Sequence, residues 1–301
     1  MSPRRDAPTR TGTGLLHAMK PLARLRTSLL CLMSMSLIST GALPSTNVAG
    51  EADVELHHTV RLEGRGPRTV ILEAGLGDTL DVWKDVQPKI AAGCTRTLSY
   101  NRAGYIGSDP AAGPRDAATI VAELRAELKR RNIDPPYVLV GHSLGGLYMQ
   151  YFARNYPQEV AGLLLVDSTH WHQGLAIDNS ANTPYAGRTA VTVFMPWIMR
   201  REINDSVAAG QQVHSSPAAE GFPTIVLSST RGPLGENAAG RAITTSLQDE
   251  IAADFPSAEH IRVADSGHYI QRDHPEVVIE AARQLAGCAR GPNAAGKSAV
   301  N

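Results

Sequence analysis

The sequence predicts an α/β protein: a mostly parallel, doubly wound sheet with helices on both faces and a small helical insertion. Three observations carry this expectation. Short β-branched or apolar runs alternate with longer amphipathic ones along most of the chain, the pattern of a parallel sheet wrapped by helices. Leu163-Leu164-Leu165-Val166 is apolar at every position, as in a strand covered on both faces. The stretch YVLVGHSLGG, Tyr137 to Gly146, passes from an apolar strand pattern through glycines straight into a helical one.

The elements follow in order. Residues 1–26 carry six Lys or Arg (Arg4, Arg5, Arg10, Lys20, Arg24, Arg26) against the single acid Asp6. Ser28 to Leu43 is apolar and uncharged, and small residues follow. Residues 1–50 therefore read as an export signal with cleavage near Ala49 or Gly50. The apolar run is shorter than the ~20 residues that span a bilayer, although a retained N-terminal anchor is the alternative. Cys31 lies inside the apolar run, and the preceding Ser28-Leu29-Leu30 fits a lipoprotein cleavage site poorly. The domain proper is expected over 51–288, with 289–301 a disordered tail.

Within that domain Thr69–Leu72 reads as a strand. Asp78–Ala92 reads as a helix, with Trp83, Val86 and Ile90 at helical spacing and Pro88 an awkward interior residue. Thr97–Tyr100 is a short strand. Asp116–Arg131 places Ile120, Val121, Leu124 and Leu128 on one helical face. Strands at Tyr137–Val140 and Leu163–Val166 flank a helix over Leu144–Tyr156. The pattern weakens over 170–221, the expected insertion, where Phe194, Met195, Trp197 and Met199 cluster. It resumes with a strand Thr224–Leu227, a helix Ile243–Ala253, a strand His260–Val263 and a helix Pro275–Ala286. Asp273 or His274 could cap that last helix and Gly287 end it.

Composition narrows the function. The chain has 301 residues, 43% hydrophobic and 19% charged, with zero formal net charge. No electrostatic argument favours nucleic acid or an anionic membrane surface as partner. No pair of histidines shows metal-ligand spacing supported by a helix, and His170-x-His172 alone predicts no metal. No cofactor motif is present.

Gly141-His142-Ser143-Leu144-Gly145 matches G-x-S-x-G between a strand and a helix. So tight a turn strains the serine backbone, and glycines are needed where side chains would meet neighbouring backbone. The serine is lifted clear of the sheet at a helix N-terminus, where free N–H groups favour negative charge. With this motif, LEAGLGDTLDVW, YNRAGYIGSDP, LLLVDST and SGHYIQRDHPEVV resemble the α/β-hydrolase fold superfamily, in its serine esterase or lipase-like branch, over roughly residues 54–287. Two positions depart from the resemblance: it leads one to expect Asp where Asn101 stands and Gly where Ile106 stands. Both lie in a loop outside the chemistry.

A serine nucleophile needs a base. The order Ser, acid, His along such chains puts the base near the C-terminus, and the resemblance makes His268 the catalytic histidine. His274 reads as a helix-start residue, His142 as local packing, and His57, His58 and His214 as surface residues. The oxyanion donors are expected to be the backbone N–H groups of Leu144, directly after Ser143, and, by resemblance, of Leu76 in Ala74-Gly75-Leu76-Gly77.

The acid is the open question. Such an acid most often follows the strand Thr224–Leu227, but no Asp stands there, and Glu236 comes nine residues later. Asp167 ends the apolar strand beside the one that delivers Ser143, at the carboxyl edge where catalytic groups gather. Some members of the superfamily carry the acid there. Asp167 is thus the leading candidate and Glu236 the alternative; Asp167 could instead bind the following loop as an Asx turn. Asp265 reads as a solvated turn residue and Asp273 as a cap. Cys94 precedes a strand and Cys288 ends a helix, so a disulfide at the lower rim is plausible, two unrelated thiols being the alternative.

These readings converge on an exported serine hydrolase acting on a small acyl substrate, with 170–221 as a lid and no stable membrane span in the mature chain. An acyltransferase or aminopeptidase could use the same triad. A non-catalytic binding protein of this fold would normally have lost Ser143 or His268. Dehalogenases and epoxide hydrolases need a carboxylate nucleophile, which Ser143 replaces.

Overall fold

The computed structural model describes residues 56–173, 195–232 and 236–288. The expected export segment, the C-terminal tail and the middle of the insertion lie outside the described residues. Those described form a seven-stranded sheet in the order β1-β3-β2-β4-β5-β6-β7. The strands are β1 (Val60–Gly64), β2 (Thr69–Glu73), β3 (Arg96–Tyr100), β4 (Tyr137–His142), β5 (Val160–Val166), β6 (Thr224–Ser229) and β7 (Ala258–Val263). Only β1 runs antiparallel to its neighbour; the other pairs are parallel. β1 is the strand no apolar run announces, because it lies on the edge and buries none of its residues fully.

Strand periodicity divides the core in two. Ile71, Leu98, Leu139, Leu163, Leu165 and Val226 face one side. There they meet α2 (Ala117–Arg130), α3 (Leu144–Asn155), α4 (Trp197–Ser215) and α5 (Ala238–Ala253). Val70, Leu72, Val138, Val140, Leu164, Val166, Ile225 and Leu227 face the other. They pack on Trp83, Val86, Ile90 and Val278, Ala281, Ala282 and Leu285 of α7 (Pro275–Leu285). Because β4 and β5 are buried on both sides, their ends are rigid mounts for whatever follows them.

The expected helix over Asp78–Ala92 is two pieces, a 3₁₀ turn at Leu80–Trp83 and α1 at Gln87–Ala91. Pro88 is the reason. It lacks an N–H and clashes inside a helix, but is tolerated in a first turn, so a new helix begins around it. Asp116 caps α2 by accepting from Thr119 N. Neither candidate caps α7 through its side chain: His274 occupies the N-cap without a capping bond. The short helix α6 (Ile270–Asp273) precedes it, and Gly287, at φ 75°, follows it.

Cys94 and Cys288 are joined as a disulfide with Cα atoms 5.8 Å apart and a sequence separation of 194. The bridge ties the approach to β3 to the end of α7. The Cys94→Ser/Cys288→Ser double variant is expected to lose about 2–5 kcal/mol of unfolding free energy, as for removal of a long-range bridge. Chemical denaturation of the two oxidised proteins measures this, and equal midpoints would deny the bridge a stabilising role.

Candidate active site

β4 ends at His142 and α3 begins at Leu144, so Ser143 alone makes the turn. Its φ and ψ of 52° and −125° lie where a residue with a Cβ is strained. Surrounding bonds hold it there. Ser143 N donates to Val166 O at 3.1 Å, and Ser143 O accepts from Gly146 N and Thr169 N at 2.9 and 3.0 Å. The glycines make room. A Cβ on Gly141 would stand 2.6 Å from Gly146 Cα, and one on Gly145 would stand 2.4 Å from Ala74 O. Gly146, which the motif pattern does not single out, is as constrained: its Cβ would stand 2.2 Å from Ser168 Oγ.

The structure brings His268 to Asp167, not to Glu236. His268 Nδ1 lies 2.7 Å from Asp167 Oδ2. An ionised carboxylate only accepts, so the ring proton sits on Nδ1 and Nε2 is left as an acceptor. Asp167 stands just past β5 with φ 43°, its N–H donating to Leu227 O at 2.8 Å. Its carboxylate also accepts from Ser229 N at 2.8 Å and Ser229 Oγ at 3.0 Å. These donors belong to β6, so the Asx-turn reading of Asp167 does not hold. Burial alone would raise the Asp167 pKa. The hydrogen bond and charge of His268, with the two Ser229 donors, outweigh it and hold the carboxyl below its ordinary 3.8.

Glu236 is turned to the helix that follows it, α5: Thr244 Oγ1 donates to Glu236 Oε1 at 3.2 Å and Arg241 Nε is 3.7 Å from Oε2. Asp265 is exposed, at φ 59°. Asp273 accepts from Gly267 N at 2.7 Å, steadying the loop that carries His268.

The loop after β2 lies against the elbow, since a Cβ on Gly75 would stand 3.2 Å from Ser143 Cβ. Among the described residues, neither Leu76 N nor Leu144 N donates a hydrogen bond to the protein. A buried Arg102 holds this loop. Its Nη1 donates to Glu73 Oε1 and Ala74 O at 2.6 and 2.7 Å, and its Nη2 donates to Gly75 O at 2.9 Å. Nε and Nη2 form a fork on Glu202 of α4 at 2.7 and 2.8 Å. Tyr105 OH donates to Glu202 Oε2 at 2.7 Å and accepts from Gly77 N at 3.0 Å. Burial is the main force raising the pKa of Glu73, Arg102 opposes it, and nearby Glu202 adds to it.

His142 is more than packing. It is buried, its Nε2 donates to His268 O at 3.0 Å, and its ring centroid is 4.7 Å from that of His268. Burial lowers its pKa and keeps it neutral. His58, expected at the surface, is buried beside Glu127, with Nδ1 3.5 Å from its carboxylate. In the loop thought to lie outside the chemistry, Asn101 accepts from Leu80 N at 2.7 Å and donates to Ile106 O at 2.8 Å. An Asp could not make that second bond, and the exposed Ile106 needs no glycine.

The sequence profile described as "Alpha/beta hydrolase family" matches residues 70–281. An uncharacterized protein of Bacillus subtilis, YqjL, is 25% identical over 232 residues, 73% of this chain and 84% of its own length. An AB hydrolase superfamily protein of Gibberella zeae is 29% identical over 157 residues, about half the length of each chain, 48%. Among solved structures, a hydrolase from Pseudomonas aeruginosa superposes with a TM-score of 0.56 at 19% identity, over 78% of this chain and 100% of that one. A thermophilic esterase from Thermogutta terrifontis gives 0.55 at 19%, over 76% and 92%. An ancestral haloalkane dehalogenase gives 0.57 at 18%, over 78% and 95%. Identities this low speak to the fold alone.

Two outcomes follow from the geometry. Arg102→Met leaves Glu202 and Glu73 without their cation and is expected to cost about 3–5 kcal/mol of stability in urea denaturation; an unchanged midpoint would refute the role given to Arg102. Asp167 has a folded pKa below its unfolded value of 3.8. Its stabilising contribution is therefore complete above that value and is lost as pH falls through the lower folded one. The stability difference between wild type and Asp167→Asn should be flat from neutral pH to about pH 5 and shrink below pH 4. A difference that instead grows on acidification contradicts the sign.

Proposed function

The chain belongs to the alpha/beta hydrolase family, and from that premise we propose that it is an exported serine hydrolase of carboxylic esters or related acyl compounds. The fold is shared by esterases and dehalogenases alike, so the residue at the elbow carries the choice. Ser143 offers a hydroxyl there, and the observation that most supports its use as a nucleophile is the 2.7 Å pairing of His268 with Asp167.

In this mechanism Ser143 Oγ attacks the acyl carbonyl carbon and His268 Nε2 takes its proton. The carbonyl electrons move to an oxyanion that accepts from the N–H groups of Leu76 and Leu144. Their freedom from other protein acceptors suits them to that task. Collapse expels the alkoxide, which leaves as an alcohol with the proton from His268. Water then attacks the acyl-enzyme, giving a proton to His268; collapse of the second tetrahedral intermediate breaks the bond to Ser143 Oγ, which takes the proton back from His268 as the acid is released. Asp167 holds the imidazole tautomer and stabilises the imidazolium.

Within the insertion expected over 170–221, α4 is proposed to cover the site. Met199 supports this, since its Cε would stand 2.5 Å from a Cβ on Gly77. Export is supported by the basic and apolar N-terminal pattern and by the bridge between Cys94 and Cys288.

The protein is expected to release p-nitrophenol from short acyl esters and to be labelled by a fluorophosphonate at Ser143. Absence of both would end this reading. Ser143→Ala should abolish labelling. Asp167→Asn should lower kcat about 10⁴-fold, while Glu236→Gln changes it little; the reverse pattern would move the acid to Glu236.

A further inference from the structure

Beyond Asp167 the chain runs Ser168-Thr169-His170-Trp171-His172 and enters the insertion. His-x-His by itself is a weak signal. The fold adds a third group from far away in sequence: Glu250, on α5, faces both rings. Glu250 Oε2 is 3.7 Å from His170 Nε2 and 4.0 Å from His172 Nε2. One ligand atom from each of the three residues falls within 4.8 Å of the others. The ring centroids of the two histidines are 4.3 Å apart and nearly perpendicular, at 87°.

We propose that His170, His172 and Glu250 form a binding site for a divalent transition-metal cation of the zinc class, distinct from the Ser143 site. Two imidazoles and a carboxylate suit zinc, and three protein ligands leave one coordination position open. Tetrahedral bonds of about 2.0–2.1 Å set ligand atoms roughly 3.3 Å apart, so binding requires the two Glu250 contacts to shorten by under ~1 Å and the widest pair, within 4.8 Å, by at most about 1.5 Å. The surroundings favour this. His170 is buried, so its imidazole is screened from bulk water. Arg154, the cation on this side, is engaged by Asp254 at 2.8 Å. Nδ1 of His172 is buried without a hydrogen-bond partner, leaving that imidazole free to take the tautomer that presents Nε2. His172 N–H reaches His170 Nδ1 at 3.4 Å. A cation on Nε2 moves the His170 proton to Nδ1, so this long contact opens on binding.

The site would join two elements already in contact, since Gln248 Nε2, two residues before Glu250 on α5, donates to Ser168 O at 2.7 Å. Its effect is to clamp the segment after Asp167 onto α5 without supplying a reacting group.

The test uses the untagged full chain, stripped with chelator and titrated with zinc chloride in a calorimeter, with cobalt as a spectroscopic probe. The expected result is one zinc per chain, a higher thermal midpoint with zinc, and visible cobalt bands of tetrahedral strength. His172→Ala and Glu250→Gln should each weaken binding about 10-fold or more, with apo midpoints near that of wild type. No stoichiometric binding by wild type, or binding that neither substitution alters, would overturn the site. Fluorophosphonate labelling of Ser143 is expected with and without zinc, so failure of the metal site and failure of the serine-hydrolase reading are separately visible.

Discussion

The N-terminus of α3 approaches two loops so closely that no side chain fits between them, and the candidate site is built on that approach. Gly145 lies against the carbonyls of Glu73 and Ala74 and Gly146 against Ser168, with no room for a Cβ at either. The first contact sets the loop of Gly75 and Leu76 beside Ser143. The second sets the segment after Asp167 beside the same turn. A bulkier residue would push the helix off the sheet edge and separate all three groups at once. The strain at Ser143 is thus sustained by packing over which the serine itself has no control.

A second constraint is electrostatic. One guanidinium faces two carboxylates in a region closed to water, so Arg102 leaves an excess of negative charge among Glu73, Glu202 and the tyrosines around them. Two responses are visible. Glu73 is pushed toward its neutral form by burial, and Tyr100 and Tyr105 each donate a hydroxyl proton to a carboxylate. Arg102 also accounts for two carbonyl oxygens of the loop after β2. Because those carbonyls are held, the amides beyond them have a defined direction. Geometry at the elbow therefore depends on charge balance in the layer beneath α4.

Much of the fold was legible because its central strands each carry a run of apolar residues. Leu163–Val166 and Tyr137–Val140 show themselves by composition alone, as the edge strand β1 does not. Within the site, Ser143 carries a local signature and His268 follows from resemblance and chain order. Asp167 was legible only as a polar residue ending an apolar strand. Its donor Ser229 had no signal, because Ser at the end of a strand is unremarkable until the neighbouring strand's register is known. The pairing of Arg102 with Glu202 spans 100 residues, and no periodicity reveals such a partner. His142 was misjudged because its neighbour's side chain faces the site. The backbone carbonyl that it holds belongs to a loop 126 residues away.

The disulfide has a consequence for how the molecule comes into being. Cys94 enters the growing polypeptide early, while its partner Cys288 follows the final helix. Through the synthesis of nearly the whole domain, Cys94 is a thiol without its mate. Closure of the bridge therefore marks a chain in which all the described strands and helices have already been made. A stalled or truncated product would differ from a finished one by a single alkylatable sulfur.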